Sequence, residues 1–176
     1  HLAVGRRPLP HACGEIDADA RQREEERRQV EQVAITDSPL VFVGYGINAP
    51  ERGWNDYAGI DVHGKTVVML INDPGFATGD PALFNGRTMT YYGRWDYKFD
   101  EAARQGAAGA IIVHETEPAA YPWGVVRNSW SGANIGLTAA NANTDKAAVE
   151  AWVTVDTARE LFAAASLDYD AARAAA

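Results

Sequence analysis

A continuous apolar run, TVVMLI at residues 66–71, constrains the fold of this chain more than any other feature. Its β-branched residues favour a strand, and the lack of alternation between polar and apolar side chains predicts burial on both faces. Strands of this kind occur mainly in parallel sheets that helices cover. The NDPG sequence at residues 72–75 then supplies turn residues that end the strand. The sequence therefore predicts the centre of an α/β fold.

A helix and a second buried strand follow at the spacing of a parallel crossover. Residues 110–113 (AIIV) repeat the buried pattern, and residues 97–105 place Phe99, Ala102 and Ala103 on one helical face. Gly106 is expected to end this helix in the left-handed conformation. Strand, helix and strand in this order predict two parallel neighbours in one sheet.

The remaining elements are shorter. Residues 40–43 (LVFV) and 152–155 (WVTV) are predicted strands, and Thr157 with Glu160 forms a capping box that would begin a helix. A second short helix is expected from Asp168. These patterns divide the chain into an irregular or helical tail or linker at residues 1–35, a domain at residues 36–165 and a C-terminal helix at residues 166–176.

Composition excludes several classes of protein. The chain has 16 Lys and Arg against 24 Asp and Glu, a net charge of -8, which argues against binding to nucleic acid or to anionic membrane surfaces. A membrane-spanning helix needs about 20 apolar residues, and no run here approaches that length. Cys13 is the only cysteine, so an intrachain disulfide framework and a Cys-rich zinc site are excluded.

The motifs that could support catalysis are incomplete. The GYGINA sequence at residues 44–49 matches a dinucleotide fingerprint, but Pro50 and Gly53 follow where a helix should begin, so we expect a glycine-bent hairpin edge. His114 lacks the second histidine four residues on that a helical zinc pair requires, and His63 lies in a predicted turn. No serine has the G-x-S-x-G context. A carboxylate pair of the glycosidase type stays open.

Aromatic residues cluster in the connection that precedes the predicted helix. Residues 89–97 (MTYYGRWDY) contain four aromatic side chains and one arginine. Exposed Trp, Tyr and Arg are typical of recognition surfaces, whereas the simpler interpretation is a loop that packs on the core with Arg94 paired to Asp96 or Asp100. The two interpretations are compatible. The candidate binding residues are Tyr91, Tyr92, Arg94, Trp95, Trp123 and Trp130.

Several strings, in order and spacing, resemble the protease-associated (PA) domain that is inserted in bacterial zinc-dependent aminopeptidases of the leucyl-aminopeptidase and glutamate-carboxypeptidase type. The resemblance covers roughly residues 36–165. The strings that carry it lie at residues 43–47, 56–62, 64–68, 90–95, 101–110 and 114–118.

The resemblance implies a swivelling β/β/α fold with a central parallel sheet, a second, antiparallel sheet and flanking helices. It also implies a bacterial parent enzyme that is periplasmic or secreted and whose separate peptidase domain holds two zinc ions. That domain begins its ligand set with a His-x-Asp string, which this chain lacks at all four of its histidines. No catalytic or metal-binding residue can therefore be carried over, and no cofactor is expected in this chain.

The functional hypothesis is a non-catalytic PA domain, a piece of a longer polypeptide, that covers the active-site cleft of its parent and gates or binds peptide substrate. Its expected partners are the peptidase domain of the same polypeptide and a peptide, with no nucleic acid and no membrane. The alternatives are a stand-alone module that recognises peptide or carbohydrate and an independent small hydrolase.

Overall fold

A parallel sheet of four strands forms the centre of the fold. The computed structural model describes residues 34–131, 140–141 and 144–176, and residues 35–176 form one compact unit. Most of the predicted tail or linker at residues 1–35 lies outside the described residues, which begin at residue 34. The strands are β1 (Leu40–Phe42), β2 (Asn48–Ala49), β3 (Trp54–Asn55), β4 (Thr66–Leu70), β5 (Gly109–His114) and β6 (Val149–Thr154).

The predicted central strand and its parallel neighbour are confirmed. Every residue of β4 is buried, and the strand order in the sheet is β1-β4-β5-β6, with each neighbouring pair parallel. Val67 lies opposite Ala110, and Ala110 lies opposite Glu150. The strands β2 and β3 form a separate, antiparallel pair. The α/β fold class is therefore confirmed.

Helices pack on both faces of the parallel sheet. They are α1 (Pro74–Thr78), α2 (Trp95–Arg104), α3 (Thr116–Ala119), α4 (Trp123–Trp130), α5 (Val155–Ala164) and α6 (Tyr169–Ala175). Successive side chains of a strand point to opposite faces. Val67 shares a core cluster with Phe99 of α2, whereas Val68 shares the other cluster with Phe162 of α5.

The predicted crossover helix is confirmed as α2. It is amphipathic, with Phe99 and Ala102 buried, and Gly106 follows it with φ of 82°. The hairpin edge expected after residues 44–47 is present, because Ala49 lies in the short antiparallel pair and a 3-10 turn (Pro50–Arg52), rather than a longer helix, follows it.

The NDPG sequence follows the end of the central strand as predicted, because β4 ends at Leu70. Two other predicted boundaries are wrong. The strand predicted at residues 152–155 is β6, which spans Val149–Thr154. The helix assigned to a capping box at Thr157 begins at Val155 instead, and the hydroxyl of Thr154 caps it by accepting a hydrogen bond from the N–H of Thr157 at 3.2 Å. The predicted helix after Asp168 is confirmed as α6, which Asp168 caps.

Within the described ranges, none of the helices combines the length and the apolar character that crossing a bilayer would need.

Candidate functional site

The six predicted binding residues fall into three groups by the elements they lie in and the rings they contact. Tyr91 and Tyr92 form a 3-10 turn (Tyr91–Gly93) before α2, and Arg94 is the residue directly before that helix, with no capping hydrogen bond from its side chain. Trp95 and Trp130 contact each other on the α2 side of the sheet. Trp123 begins α4 beside the ring of His114.

The tyrosines form a cluster of rings that meet edge to face. The ring centroids of Tyr91 and Tyr92 lie 5.2 Å and 5.0 Å, respectively, from that of buried Tyr97. The hydroxyl of Tyr92 donates to Glu51 at 2.6 Å, which also fixes its ring. Tyr91 remains 60% exposed, a high fraction for a side chain of this size. It is therefore available to a partner, while contacts with the rings of Tyr92 and Tyr97 hold it in position.

Trp95 is the exposed end of a second aromatic cluster. Its ring centroid lies 5.6 Å from that of half-buried Trp130 and 6.3 Å from that of buried Phe99. Trp130 in turn packs against the core of the α2 face. Trp95 is 41% exposed. We call Tyr91, Arg94 and Trp95 the aromatic platform.

Arg94 is already paired within the chain. Its Nε and Nη2 donate to the two carboxylate oxygens of Asp96, each at 3.1 Å, in a bidentate arrangement. This is the pairing that the simpler interpretation of the sequence predicts. Both side chains remain partly exposed, so the pair lies at the surface of the platform.

Buried polar groups at the carboxyl end of β4 hold the platform in place. Asp73 is fully buried, and its Oδ2 accepts hydrogen bonds from the backbone N–H and the hydroxyl of Thr90, both at 2.9 Å. The N–H of Asn72 donates to the carbonyl oxygen of Gly93 at 3.1 Å. Burial raises the pKa of the Asp73 carboxyl, and the bonds from Thr90 act against that rise. The turn is thus anchored to the central strand at two points.

Lys98 is the second buried ionisable group in this region. It lies in α2, is fully buried, and donates through Nζ to the carbonyl oxygen of Tyr45 in the β1–β2 connection at 2.5 Å. Burial lowers the pKa of Lys98 to about 7, and the charges of Asp56 and Asp73 oppose the change. Lys98 therefore links α2 to the β1–β2 connection.

Within the described residues, no three His, Cys, Asp or Glu side chains lie close enough together to share a metal ion. The Nε2–H of His114 donates to the carbonyl oxygen of Tyr121 at 3.0 Å, which leaves Nε2 unsuited to a metal.

Sequence reasoning missed the buried polar groups that position the platform. The signal for Asp73 was available, because polar residues directly after a fully buried parallel strand lie where α/β proteins place functional groups. The signal for Lys98 was weaker, since a lysine next to Phe99 is usually read as the solvated edge of a helix.

Comparisons with known family models, curated proteins and solved structures returned no match.

Proposed function

We propose that this chain is a non-catalytic domain of the PA type, part of a secreted or periplasmic bacterial zinc aminopeptidase. In this proposal the aromatic platform borders the cleft of the peptidase domain and contacts the peptide beyond the scissile bond. The domain contributes binding and exclusion, since a cover of this kind restricts access of water and of bulky substrates.

The proposal is supported first by the order of the residue strings described above and by the α/β architecture. A parallel central sheet, a short antiparallel pair and flanking helices are features that the PA resemblance implies. Fold alone does not define function, so the proposal depends on the site.

The observation that carries the proposal is the combination of exposure and anchoring in the platform. Tyr91 and Trp95 are large, exposed aromatic side chains on either side of Arg94. Their backbone is fixed through Thr90 to buried Asp73. Aromatic side chains that are already held in position lose little entropy on binding, and Trp, Tyr and Arg contribute strongly at recognition surfaces.

Arg94 is suited to hold a peptide carboxylate. Its present partner Asp96 is at the surface, and exposed ion pairs contribute only about 0 to 1 kcal/mol. A ligand carboxylate can replace Asp96 with the same bidentate geometry at low cost.

The zinc of the proposed parent belongs to the peptidase domain. When bound there it would activate water for peptide hydrolysis. The residues of this chain would bind and orient the peptide only.

The test is kinetic and uses the full polypeptide that carries the peptidase domain. Trp95→Ala and Arg94→Ala are expected to lower kcat/KM for pentapeptides by about tenfold, the effect of losing about 1.4 kcal/mol. Leucine nitroanilide has no residue beyond the scissile bond for the platform to contact, so its hydrolysis should not change. Leu167→Ala is the matched control, because Leu167 is an exposed apolar residue in the α5–α6 connection. Unchanged kcat/KM for pentapeptides in both platform variants would contradict the proposal.

The second candidate function is a stand-alone module that recognises peptide or carbohydrate. The same exposed rings favour it, because sugars also stack on aromatic side chains. Titration of the chain alone separates the two functions. A domain that only borders a cleft should bind a pentapeptide in the millimolar range, whereas micromolar binding of a pentapeptide or an oligosaccharide would favour the stand-alone module.

A further inference from the structure

A crevice of about 610 Å³ lies at the carboxyl edge of the parallel sheet, away from the aromatic platform. Its walls include the residues that directly follow β5 and β6, namely Glu115 and Thr116 on one side and Val155 and Asp156 on the other. Its volume falls within the range of about 300 to 1,000 Å³ that is usual for small-molecule sites.

The topology of the sheet explains why a crevice forms at this point. After β5 the chain continues to α4, whose Trp130 packs on the same face as α2. After β6 it continues to α5, whose Phe162 packs on the opposite face. The connections that leave these two neighbouring strands therefore diverge. In α/β proteins, ligands bind in the crevice that such divergence opens at the carboxyl ends of the strands.

One ion pair forms a fixed side of the crevice. Arg173 of α6 donates through Nε and Nη2 to the two carboxylate oxygens of Glu115, both at 2.6 Å, and the hydroxyl of Tyr169 donates to Oε1 at 3.1 Å. The Glu115 side chain is only 14% exposed. This pair holds α6 against the end of β5 and is not free to exchange partners.

The other charged side chains around the crevice are exposed, and two of their ion pairs are long. Arg87 contacts Glu117 at 3.3 Å, with 66% and 79% of the two side chains exposed. Arg159 reaches Asp156 at 3.5 Å, although Asp170 holds it more firmly in a bidentate pair. Exposed pairs of this kind contribute little to stability, so a ligand can replace either partner.

The balance of charge indicates the ligand. Three arginines face four carboxylates, a set that favours neither a strong anion nor a strong cation. A molecule with one positive and one negative group can satisfy both members of an exchangeable pair. Trp123, whose ring is fixed 5.6 Å from that of His114, offers an apolar surface beside them.

We propose that this crevice binds a small zwitterion, a free amino acid or a dipeptide, with its carboxylate on Arg87, its ammonium on Glu117 and its side chain against Trp123. The proposal rests on the crevice and not on the aromatic platform, and it holds independently of the peptidase assignment.

The test is calorimetric titration of the chain with the dipeptide Ala-Leu, its N-acetyl form and its C-terminal amide. Ala-Leu is expected to bind with a Kd on the order of 1 mM or below, and each blocked form at least about tenfold more weakly. In Arg87→Gln, Ala-Leu and its amide should bind equally. In Glu117→Gln, Ala-Leu and its N-acetyl form should bind equally. These two side chains are exposed, so the variants are expected to fold.

Two controls separate the crevice from other sites. Lys65→Gln removes an exposed ion pair with Asp61 just before β4, at the opposite edge of the sheet, and should leave the three affinities unchanged. Trp95→Ala should also leave them unchanged. Equal binding of the free and blocked dipeptides, no saturable heat at concentrations on the order of 10 mM, or loss of binding in Trp95→Ala but not in Arg87→Gln would each overturn the proposal.

Discussion

Gly93 is a position where the platform has no room for a side chain. A Cβ at this residue would lie 2.8 Å from Cγ of Met89 and 3.0 Å from side-chain oxygens of Asn72 and Asp73. Gly93→Ala should therefore lower the free energy of unfolding by about 1 to 3 kcal/mol, measured by urea denaturation.

Gly124 provides the matched control for this substitution. It lies in α4, and a Cβ there would have no neighbour within 4 Å. Gly124→Ala should leave the free energy of unfolding unchanged or raise it by up to about 1 kcal/mol. Equal effects of the two substitutions would mean that the close approach at Gly93 does not constrain the platform.

Lys98 should make stability depend on pH in the weakly alkaline range. Its pKa is lowered from 10.5 to about 7 by burial, so between these values the unfolded chain binds a proton that the folded chain does not. The free energy of unfolding should then rise with pH, by at most about 1.4 kcal/mol per pH unit. Buried tyrosines oppose this trend above about pH 10, because burial raises the pKa of Tyr97 to about 12.

The measurement is urea unfolding at intervals between about pH 7 and pH 9.5. Lys98→Met should remove the rise, and Lys65→Met, which changes a lysine with an exposed partner, should retain it. A slope that is the same in all three proteins would show that Lys98 is charged in the folded state throughout this range.

At the level of single residues, the sequence indicates candidate binding residues by their type but does not indicate which side chains contact them. Tyr91 and Trp95 stand out because exposed aromatic residues are informative in any context. The pairing of Arg94 was foreseen as one of two options, since Asp96 and Asp100 both lie within reach along the chain. Asp73 was not foreseen, because its partner Thr90 lies 17 residues away and only the folded chain brings them together.

At the scale of elements, the start of α5 offers a direct test of which threonine caps the helix. Thr154 Oγ1 accepts the hydrogen bond from the N–H of Thr157, so Thr154→Ala should lower the free energy of unfolding by about 1 kcal/mol. Thr157→Ala should have little effect or raise it slightly, because the change lies within the first turn and alanine favours helix. The reverse order of the two effects would support the capping box.

The strands β4 and β5 were predictable, because a strand that is buried on both faces appears in the sequence as a continuous apolar run. The residue at which a helix begins is indicated less clearly by the sequence. Thr154 and Thr157 stand three residues apart, so two cap positions fit the local pattern equally well. Packing decides between them, because the helix that begins at Val155 places Ala158 and Phe162 against the sheet.

At the scale of the whole molecule, the parallel pairing of β4 and β5 could be predicted and the face taken by α5 and α6 could not. A helix with one apolar side fits either face of a sheet that is buried on both. The crevice forms because α5 packs on the face opposite α4, so that the connections after β5 and β6 diverge. The crevice residues come from five helices and the segments that adjoin them, so no local motif could have indicated them.

The indole N–H resonances of the chain can show whether the aromatic platform contacts peptide. The chain has five tryptophans, so two-dimensional NMR should resolve up to five such signals. On titration with a pentapeptide, we expect a saturable shift of the Trp95 signal that is lost in Arg94→Gln. The signal of Trp54, whose Nε1–H donates to Asp56 at 2.9 Å, should not move. A Trp95 signal that stays in place as the peptide is added would mean that the platform does not contact peptide.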